Sequence, residues 1–177
     1  PEQRAKLGAA DPVIAVENPE SIEQAVARRR LLPGLLALAA RNTHRDLPQR
    51  LFENGDVIVP VEGSRPINER HVAGLVVASD AGFTQIKSIV EGVLRALAIG
   101  WREDAAAAAG FVAGRCARVV EPSSGRLLGH YGEVDPPVLA AFGLAQPCAA
   151  FELHLARPAP KETWRPVDEP AHELRMG

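Results

Sequence analysis

The stretch RLFENGDVIVP, residues 50–60, is rich in aromatic and β-branched residues, such as Phe52 and Val57 to Val59, and ends at Pro60, so it predicts a β-strand. Two carboxylates, Glu53 and Asp56, interrupt its apolar run, so the strand belongs either to an active site or to a structural sheet. Residues three apart on a regular strand point to opposite faces. A shared catalytic site would need a bulge at Asn54-Gly55, which the sequence permits but does not require.

The elements that follow this strand indicate a sheet covered by a helix. A second strand, HVAGLVVAS at residues 71–79, comes after a loop, and the pair predicts an antiparallel hairpin with a long connection. The next segment is GFTQIKSIVEGVLRALAIG, residues 82–100. Its apolar residues recur at spacings of three and one, which is one face of an α-helix ending near Gly100. Such a helix is expected to cover a sheet.

The second half of the chain predicts further strands. GRCARVVEPSSGRLLGHYGEV, residues 114–134, is typical of two strands joined by a Ser-Ser-Gly turn. DPPVLAAFGL, residues 135–144, predicts a short helix with Asp135 as its N-cap, and CAAFELHLA, residues 148–156, predicts a last strand. The segment EDAAAAAGF, residues 103–111, has high helix propensity without an amphipathic face, so it is expected to be a loop or one short helix.

The N-terminal third predicts a strand at residues 13–16 that ends at Asn18-Pro19, followed by a helix with a Ser21-to-Gln24 capping box. Pro33 breaks or kinks this helix and suits the first turn of a second helical piece. Residues 21–50 contain an excess of arginine over acidic residues, which favours either an anionic partner or a solvated helix face.

Composition and chain ends set the domain boundaries. With 177 residues, 46% hydrophobic and 24% charged, the chain suits one compact domain of mixed architecture, residues 1–157. Residues 158–177 are rich in proline and lack periodicity, so they predict an extended tail. No apolar run approaches the roughly 20 residues that span a bilayer, and no secretory signal is recognisable. We therefore expect a cytoplasmic protein with no membrane partner.

Residue chemistry alone does not support an enzyme. Phosphate-binding, nucleophile-elbow and metalloprotease motifs are absent, and the five histidines are scattered without metal-ligand spacing, so no metal site is predicted. Glu133 and Asp135 are either an acid–base pair or helix-capping residues, and capping is the commoner role. Cys116 and Cys148 lie far apart in sequence and are expected to be buried free thiols.

Several segments, in this order, resemble the C-terminal core domain of the phenylalanyl-tRNA synthetase β subunit of archaea and eukaryotes. They span roughly residues 13–155 and include VENPES, LLPGLL, RNTHRDLPQRLFENGDV, FTQIKSIVEGVL, GRCARV, LLGHYGEVDPPVLAAFGL and AFELHL. The resemblance implies an α+β fold in which helices flank an antiparallel sheet, as in a class II aminoacyl-tRNA synthetase. Asn54 and Arg30 depart from the family pattern, which prefers an aliphatic residue and a small hydroxyl residue there.

The resemblance also implies that this chain is not catalytic by itself. In active class II cores, the strand matching residues 50–60 ends in an arginine that grips ATP, and this chain has Val59 there. The third class II motif ends in another arginine, where this chain has Leu155. Without such bidentate cations, stabilising a phosphoryl transition state is difficult.

The implied role is that of a structural core supporting the α subunit in aminoacylation of tRNA(Phe), within a heterotetramer of two α and two β subunits. ATP and Mg²⁺ are then expected at the α subunit, and no cofactor is expected on this chain. The alternative is a tRNA-binding module that uses the arginine-rich residues 28–50. The chain is expected to be a fragment of a longer subunit.

These implications define two groups of candidate residues. Candidates for contact with the α subunit or with RNA are Arg28, Arg29, Leu35, Leu36, Asn42 and Arg45. Candidates for structural polar roles are Asn18, Glu53, Asp56, Arg115 and Glu133.

Overall fold

The computed structural model describes residues 5–8, 27–61 and 65–155. Within these residues one antiparallel sheet has the strand order β1-β2-β6-β5-β4-β3. The strands are β1 (Gln49–Val59), β2 (Ile67–Val77), β3 (Arg102–Ala105), β4 (Phe111–Val120), β5 (Leu127–Val134) and β6 (Cys148–Leu155). The helices are α1 (Leu32–Arg41), α2 (Phe83–Ala96) and α3 (Pro136–Phe142). The predicted antiparallel sheet with flanking helices is confirmed.

The hairpin of β1 and β2 contains the stretch from which the fold was predicted. Its register is regular along all of β1, so the described ladder has no bulge at Asn54-Gly55. Glu53 and Asp56 therefore point to opposite faces of the sheet. Their cross-strand partners in the backbone register of β2 are Ala73 and Arg70 respectively. The second strand begins at residue 67, which makes the connection shorter than predicted.

One face of the sheet packs against α1 and α3. Helix α1 begins at Leu32 with Pro33 in its first turn, as the sequence predicted for the second helical piece. Its buried stripe contacts alternate residues of β1, β2 and β6, among them Val57, Leu75 and Ala150. This face carries the cleft described below.

The opposite face is covered by α2, which lies over β5 and β6. Ile86, Val90 and Leu94 of α2 are buried against apolar residues of β4, β5 and β6. The helix ends at Ala96 rather than near Gly100, because Ala98 takes a left-handed φ of 54° and the amide of Ile99 donates to the carbonyl of Leu94. This is the hydrogen bond of a Schellman cap, with alanine in the position that glycine usually occupies.

One further prediction needs correction, and others fall outside the described residues. The segment 103–111 is not wholly a loop or a helix, because its first residues belong to β3, which pairs with β4 as an edge strand. Asp135 is the N-cap of α3, as predicted, and its backbone carbonyl accepts the hydrogen bonds there. Cys116 and Cys148 are buried free thiols, as predicted. The strand at residues 13–16, Asn18, the helix after Ser21 and the tail from residue 158 lie outside the described residues.

The described helices are too short or too polar to span a bilayer.

Candidate functional site

A cleft of about 300 Å³ opens beside the start of α1, on the sheet face that α1 and α3 cover. Strands β2, β5 and β6 supply polar side chains to its floor, and the turn that precedes α1 supplies two arginines. An alanine-rich loop between β3 and β4 forms one wall. The polar residues that line the cleft are Arg29, Arg30, Glu69, His71, His130, Glu152 and His154.

Glu152, in the middle of the sheet, holds the start of α1. Its side chain is buried, and its two carboxylate oxygens accept hydrogen bonds from the amides of Leu31 and Leu32 at 2.9 and 3.1 Å. Helix α1 has no side-chain cap from its own N-cap residue. Free amides and the helix dipole make a helix N-terminus favourable for a negative charge. A carboxylate from a central strand therefore takes the place that a bound anion would otherwise have.

His71 of β2 lies between two carboxylates. Its ring is only 3% exposed, with Nδ1 2.7 Å from Glu152 Oε1 and Nε2 3.4 Å from Glu69 Oε2. An ionised carboxylate offers only lone pairs, so Nδ1 carries the hydrogen and donates it to Glu152. In the neutral ring Nε2 is then an acceptor that faces the acceptor oxygen of Glu69.

His154 of β6 completes this arrangement. It is the cross-strand partner of His71, and the two rings stack with centroids 4.3 Å apart and planes 11° from parallel. Burial and the neighbouring His71 lower the pKa of His154 to about 4, although Glu69 and Glu152 act in the opposite direction. One ligand atom from each of Glu69, His71 and His154 lies within 4.8 Å of the others. These three side chains have the donor set and the spacing for a metal ion.

His130 of β5 and the arginines form the other side of the cleft. Burial, Arg30 and Arg118 all lower the pKa of His130, so its ring is neutral at physiological pH. The cleft thus combines an acidic, imidazole-rich part formed by β2 and β6 with a cationic part formed by the turn before α1.

Glu53 and Asp56 do not reach this cleft and do not act together. The carboxylate of Glu53 is paired with Arg28, and that of Asp56 accepts from Arg70 Nε at 2.6 Å. Arg28 also donates from Nε to the backbone carbonyl of Asp56 at 2.9 Å. Both carboxylates are therefore engaged in ion pairs at an edge strand of the sheet.

Glu133 serves a helix other than the one that follows it. Its Oε1 accepts from the amide of Phe83, at the start of α2, at 3.0 Å and from Arg115 Nη1 at 2.9 Å. Asp135 begins α3 instead. The two carboxylates therefore serve different helix starts rather than an acid–base pair.

The contact candidates near α1 divide into buried and exposed residues. Leu35 and Leu36 are 2% and 0% exposed in the chain's own core, which removes them as candidates for contact with a partner. Asn42 is the C-cap of α1, with its side-chain amide donating to the carbonyl of Leu38. Arg28 and Arg45 are exposed, and Arg29 lines the cleft. A contact role for these polar residues stays a prediction.

Sequence reasoning missed the cluster of Glu69, His71, Glu152 and His154. The β2 residues of this cluster and its β6 residues lie about eighty positions apart in the sequence. The β2–β6 register nevertheless places His71 directly beside His154. One sign was available in the sequence. In HVAGLVV a histidine precedes an otherwise apolar run, and in AFELHL the polar residues Glu152 and His154 alternate with apolar ones.

The fold is that of a class II aminoacyl-tRNA synthetase-like core. A solved structure with this architecture is the Desulfitobacterium hafniense PylSc, a pyrrolysyl tRNA synthetase, which superposes with a TM-score of 0.66 at 16% sequence identity. The match covers 86% of this chain and 55% of that one. At this identity the likeness concerns the fold alone.

Residues 1–155 match the family model of the phenylalanyl tRNA synthetase beta chain CLM domain, and the chain belongs to this family. It is 37% identical over 144 residues to the phenylalanine–tRNA ligase beta subunit of Methanocaldococcus jannaschii, and 36% identical over 153 residues to that of Caenorhabditis elegans. These matches cover 80% of this chain but only 26% and 25% of the relatives, so the chain spans about a quarter of their length. The resemblance found in the sequence is confirmed.

Proposed function

We propose that this chain is a non-catalytic structural core of a phenylalanyl-tRNA synthetase β subunit, which supports the α subunit in aminoacylation of tRNA(Phe). The proposal places it in the cytoplasm, in a heterotetramer of two α and two β subunits. Family membership supports the assignment to the β subunit. The chemistry of the cleft supports the absence of catalysis.

One observation carries the non-catalytic part of the proposal. Glu152, on a central strand, directs its carboxylate at the N-terminus of α1, and Glu69 adds a second carboxylate to the same cleft. A nucleotide's phosphates need bidentate cations and free amides, and here a carboxylate already accepts the amides. The end of β1 contributes Val59 to the cleft, where the class II pattern has an arginine. The part of the cleft built from the sheet therefore repels phosphate.

The proposal therefore assigns ATP and Mg²⁺ to the α subunit rather than to this cleft. Arg29 and Arg30 do line it, but they precede α1 and are not carried by the strands. Their position makes them the residues on which any nucleotide binding in the cleft would depend.

Two measurements test this proposal. The purified chain is expected to show no phenylalanine-dependent ATP–pyrophosphate exchange alone, and to elute with the α subunit from the same organism in gel filtration. Separate elution of the two chains contradicts the supporting role, and exchange activity of the isolated chain contradicts the non-catalytic role.

The matched variant for the cleft is Arg30→Ala. In the complex with α, this substitution is expected to leave the KM for ATP unchanged, because the nucleotide is bound elsewhere. A severalfold rise in that KM would place ATP in this cleft.

The alternative, a tRNA-binding module built on residues 28–50, is not favoured. Arg28 is neutralised by Glu53, so the local excess of positive charge is smaller in the folded chain than in the sequence. If the isolated chain contacted six phosphates, its tRNA affinity would fall steeply with salt, with a logarithmic slope of about −4 to −5. We expect weak binding with a shallow slope.

A further inference from the structure

We propose that Glu69, His71 and His154 form a binding site for a first-row divalent transition-metal ion, with Zn²⁺ as the preferred probe. The three side chains come from the paired strands β2 and β6, and their ligand atoms lie within 4.8 Å of one another. The site is independent of the proposed scaffold role, which stands or fails by itself.

His71 Nε2 and Glu69 Oε2 lie 3.4 Å apart. Since Nδ1 donates to Glu152, the neutral ring presents a lone pair at Nε2 to an oxygen that also presents lone pairs. A metal ion placed between these two atoms satisfies both lone pairs. The nearby ligand atom of His154 favours the metal ion, because an imidazole nitrogen is a ligand for a metal.

The fold also holds the His71 ring in the orientation that a metal ligand needs. Metal-ligating histidines almost always donate their other ring N–H to a carboxylate or a carbonyl, which fixes the tautomer and the ring orientation. His71 has this partner in Glu152 at 2.7 Å, and two backbone amides hold Glu152 in turn. The ligand is therefore held in place by the fold before any metal arrives.

The donor set indicates which class of metal the site prefers. Two imidazoles and one carboxylate suit Zn²⁺ and neighbouring transition metals, whereas Mg²⁺ and Ca²⁺ prefer oxygen ligands alone. Three protein ligands leave one tetrahedral position, which the cleft of about 300 Å³ exposes to solvent. This inference revises the expectation that the chain carries no metal of its own, while ATP and Mg²⁺ remain assigned to the α subunit.

The test uses the 177-residue chain after removal of any histidine tag and dialysis against a chelator. Calorimetric titration with Zn²⁺ is expected to give one tight site per chain, which excess Mg²⁺ does not displace. Co²⁺ is expected to give visible d–d bands characteristic of four- or five-coordinate geometry, and these bands report coordination directly.

Two variants remove a ligand without touching the support of α1. His154→Ala and Glu69→Gln are each expected to weaken Zn²⁺ binding by at least about tenfold and to reduce the Co²⁺ bands, since even loss of an outer partner costs 10- to 100-fold. His130→Ala is the matched control, because His130 lines the same cleft but is not one of the three ligands. Circular dichroism confirms that each variant is folded.

The Zn²⁺ titrations distinguish a bound metal site from its absence. One Zn²⁺ per chain that is weakened in Glu69→Gln or His154→Ala and retained in His130→Ala supports the site. Absence of stoichiometric binding by the wild-type chain overturns the proposal. Equal affinity in all three variants and the wild type also overturns it.

Discussion

The two faces of the sheet are built on different chemistry. On the α2 face, ten buried residues are apolar or aromatic, and the polar groups of Tyr131, Glu103 and Lys87 meet at its margin. On the α1 face, an apolar core of similar kind ends at a cleft in which Glu152 and His71 are themselves buried. The first face stabilises the fold through packing, and the second combines packing with a buried polar network.

This difference shows where a sequence pattern has predictive value. A helix with apolar residues at regular spacing needs only a complementary apolar surface, which any sheet face of alternating residues supplies. A buried polar network requires particular partners, and each unsatisfied member costs free energy. The two faces should therefore respond differently to substitution.

The largest effect is expected from Glu152→Ala on the polar face. It removes the cap of α1 and leaves two amides and the ring of His71 without their acceptor, so we expect a loss of about 4 kcal/mol in the free energy of unfolding. Urea denaturation measures this loss. Glu152→Gln keeps one acceptor oxygen and should lose roughly half as much. Equal losses in the two variants would show that the acceptor oxygens of Glu152 do not stabilise the fold.

On the apolar face, Ile86→Ala should cost about 3 kcal/mol, because Ile86 of α2 is fully buried against the sheet and its truncation leaves a cavity. The matched substitution is Leu97→Ala, just beyond the end of α2, where the side chain is 46% exposed. That change should cost less than about 0.5 kcal/mol by the same urea measurement. Similar values for the two variants would contradict the assignment of the buried stripe.

At the margin of this face, Tyr131→Phe should cost about 1 kcal/mol, the usual net value of one hydrogen bond. The hydroxyl of Tyr131 donates to Glu103 Oε2 at 2.8 Å, while the ring stays buried and keeps its packing. Thermal unfolding of the wild type and the variant measures this difference. A cost above 3 kcal/mol would mean that the ring has moved.

The same contact predicts a dependence on pH. Burial alone would raise the pKa of Glu103, but hydrogen bonds from Lys87 and Tyr131 lower it below its ordinary value of 4.5. The unfolded chain then binds the proton more readily, so this contribution to stability is complete above about pH 4.5 and is lost as the pH falls through the folded pKa. As the pH is lowered from 6, the free energy of unfolding should fall less steeply in Lys87→Met than in the wild type. Parallel curves for the two proteins would contradict this prediction.

The smallest effect is expected from Glu53→Gln on edge strand β1. Its ion pair with Arg28 is largely exposed to solvent, and such pairs contribute less than about 1 kcal/mol. The free energy of unfolding should therefore change by less than this amount, and the activity of the complex with α should be unchanged. A large loss of activity with normal stability would restore Glu53 as a catalytic candidate.

Periodicity in the sequence determined most of the elements. The stripe Ile86, Val90 and Leu94 predicts α2, because local spacing alone decides which side chains share a face. The aromatic and β-branched residues of 50–60 predict β1. Where the prediction failed, a distant partner decided the outcome. Residues 102–105 form a strand because β4 lies beside them, although their sequence favours helix or loop.

The sequence by itself thus determined the fold class and the family, because each depends on local spacing or on the order of segments. The β1–β2 register then excluded a bulge at Asn54-Gly55 and placed Glu53 and Asp56 on opposite faces. Only the tertiary structure decided that Glu133 caps α2, that Leu35 and Leu36 are internal, and that Glu69, His71 and His154 meet. The physical reason is register. Strand pairing brings together residues that are some eighty positions apart, and no local pattern encodes which distant strand will become the neighbour.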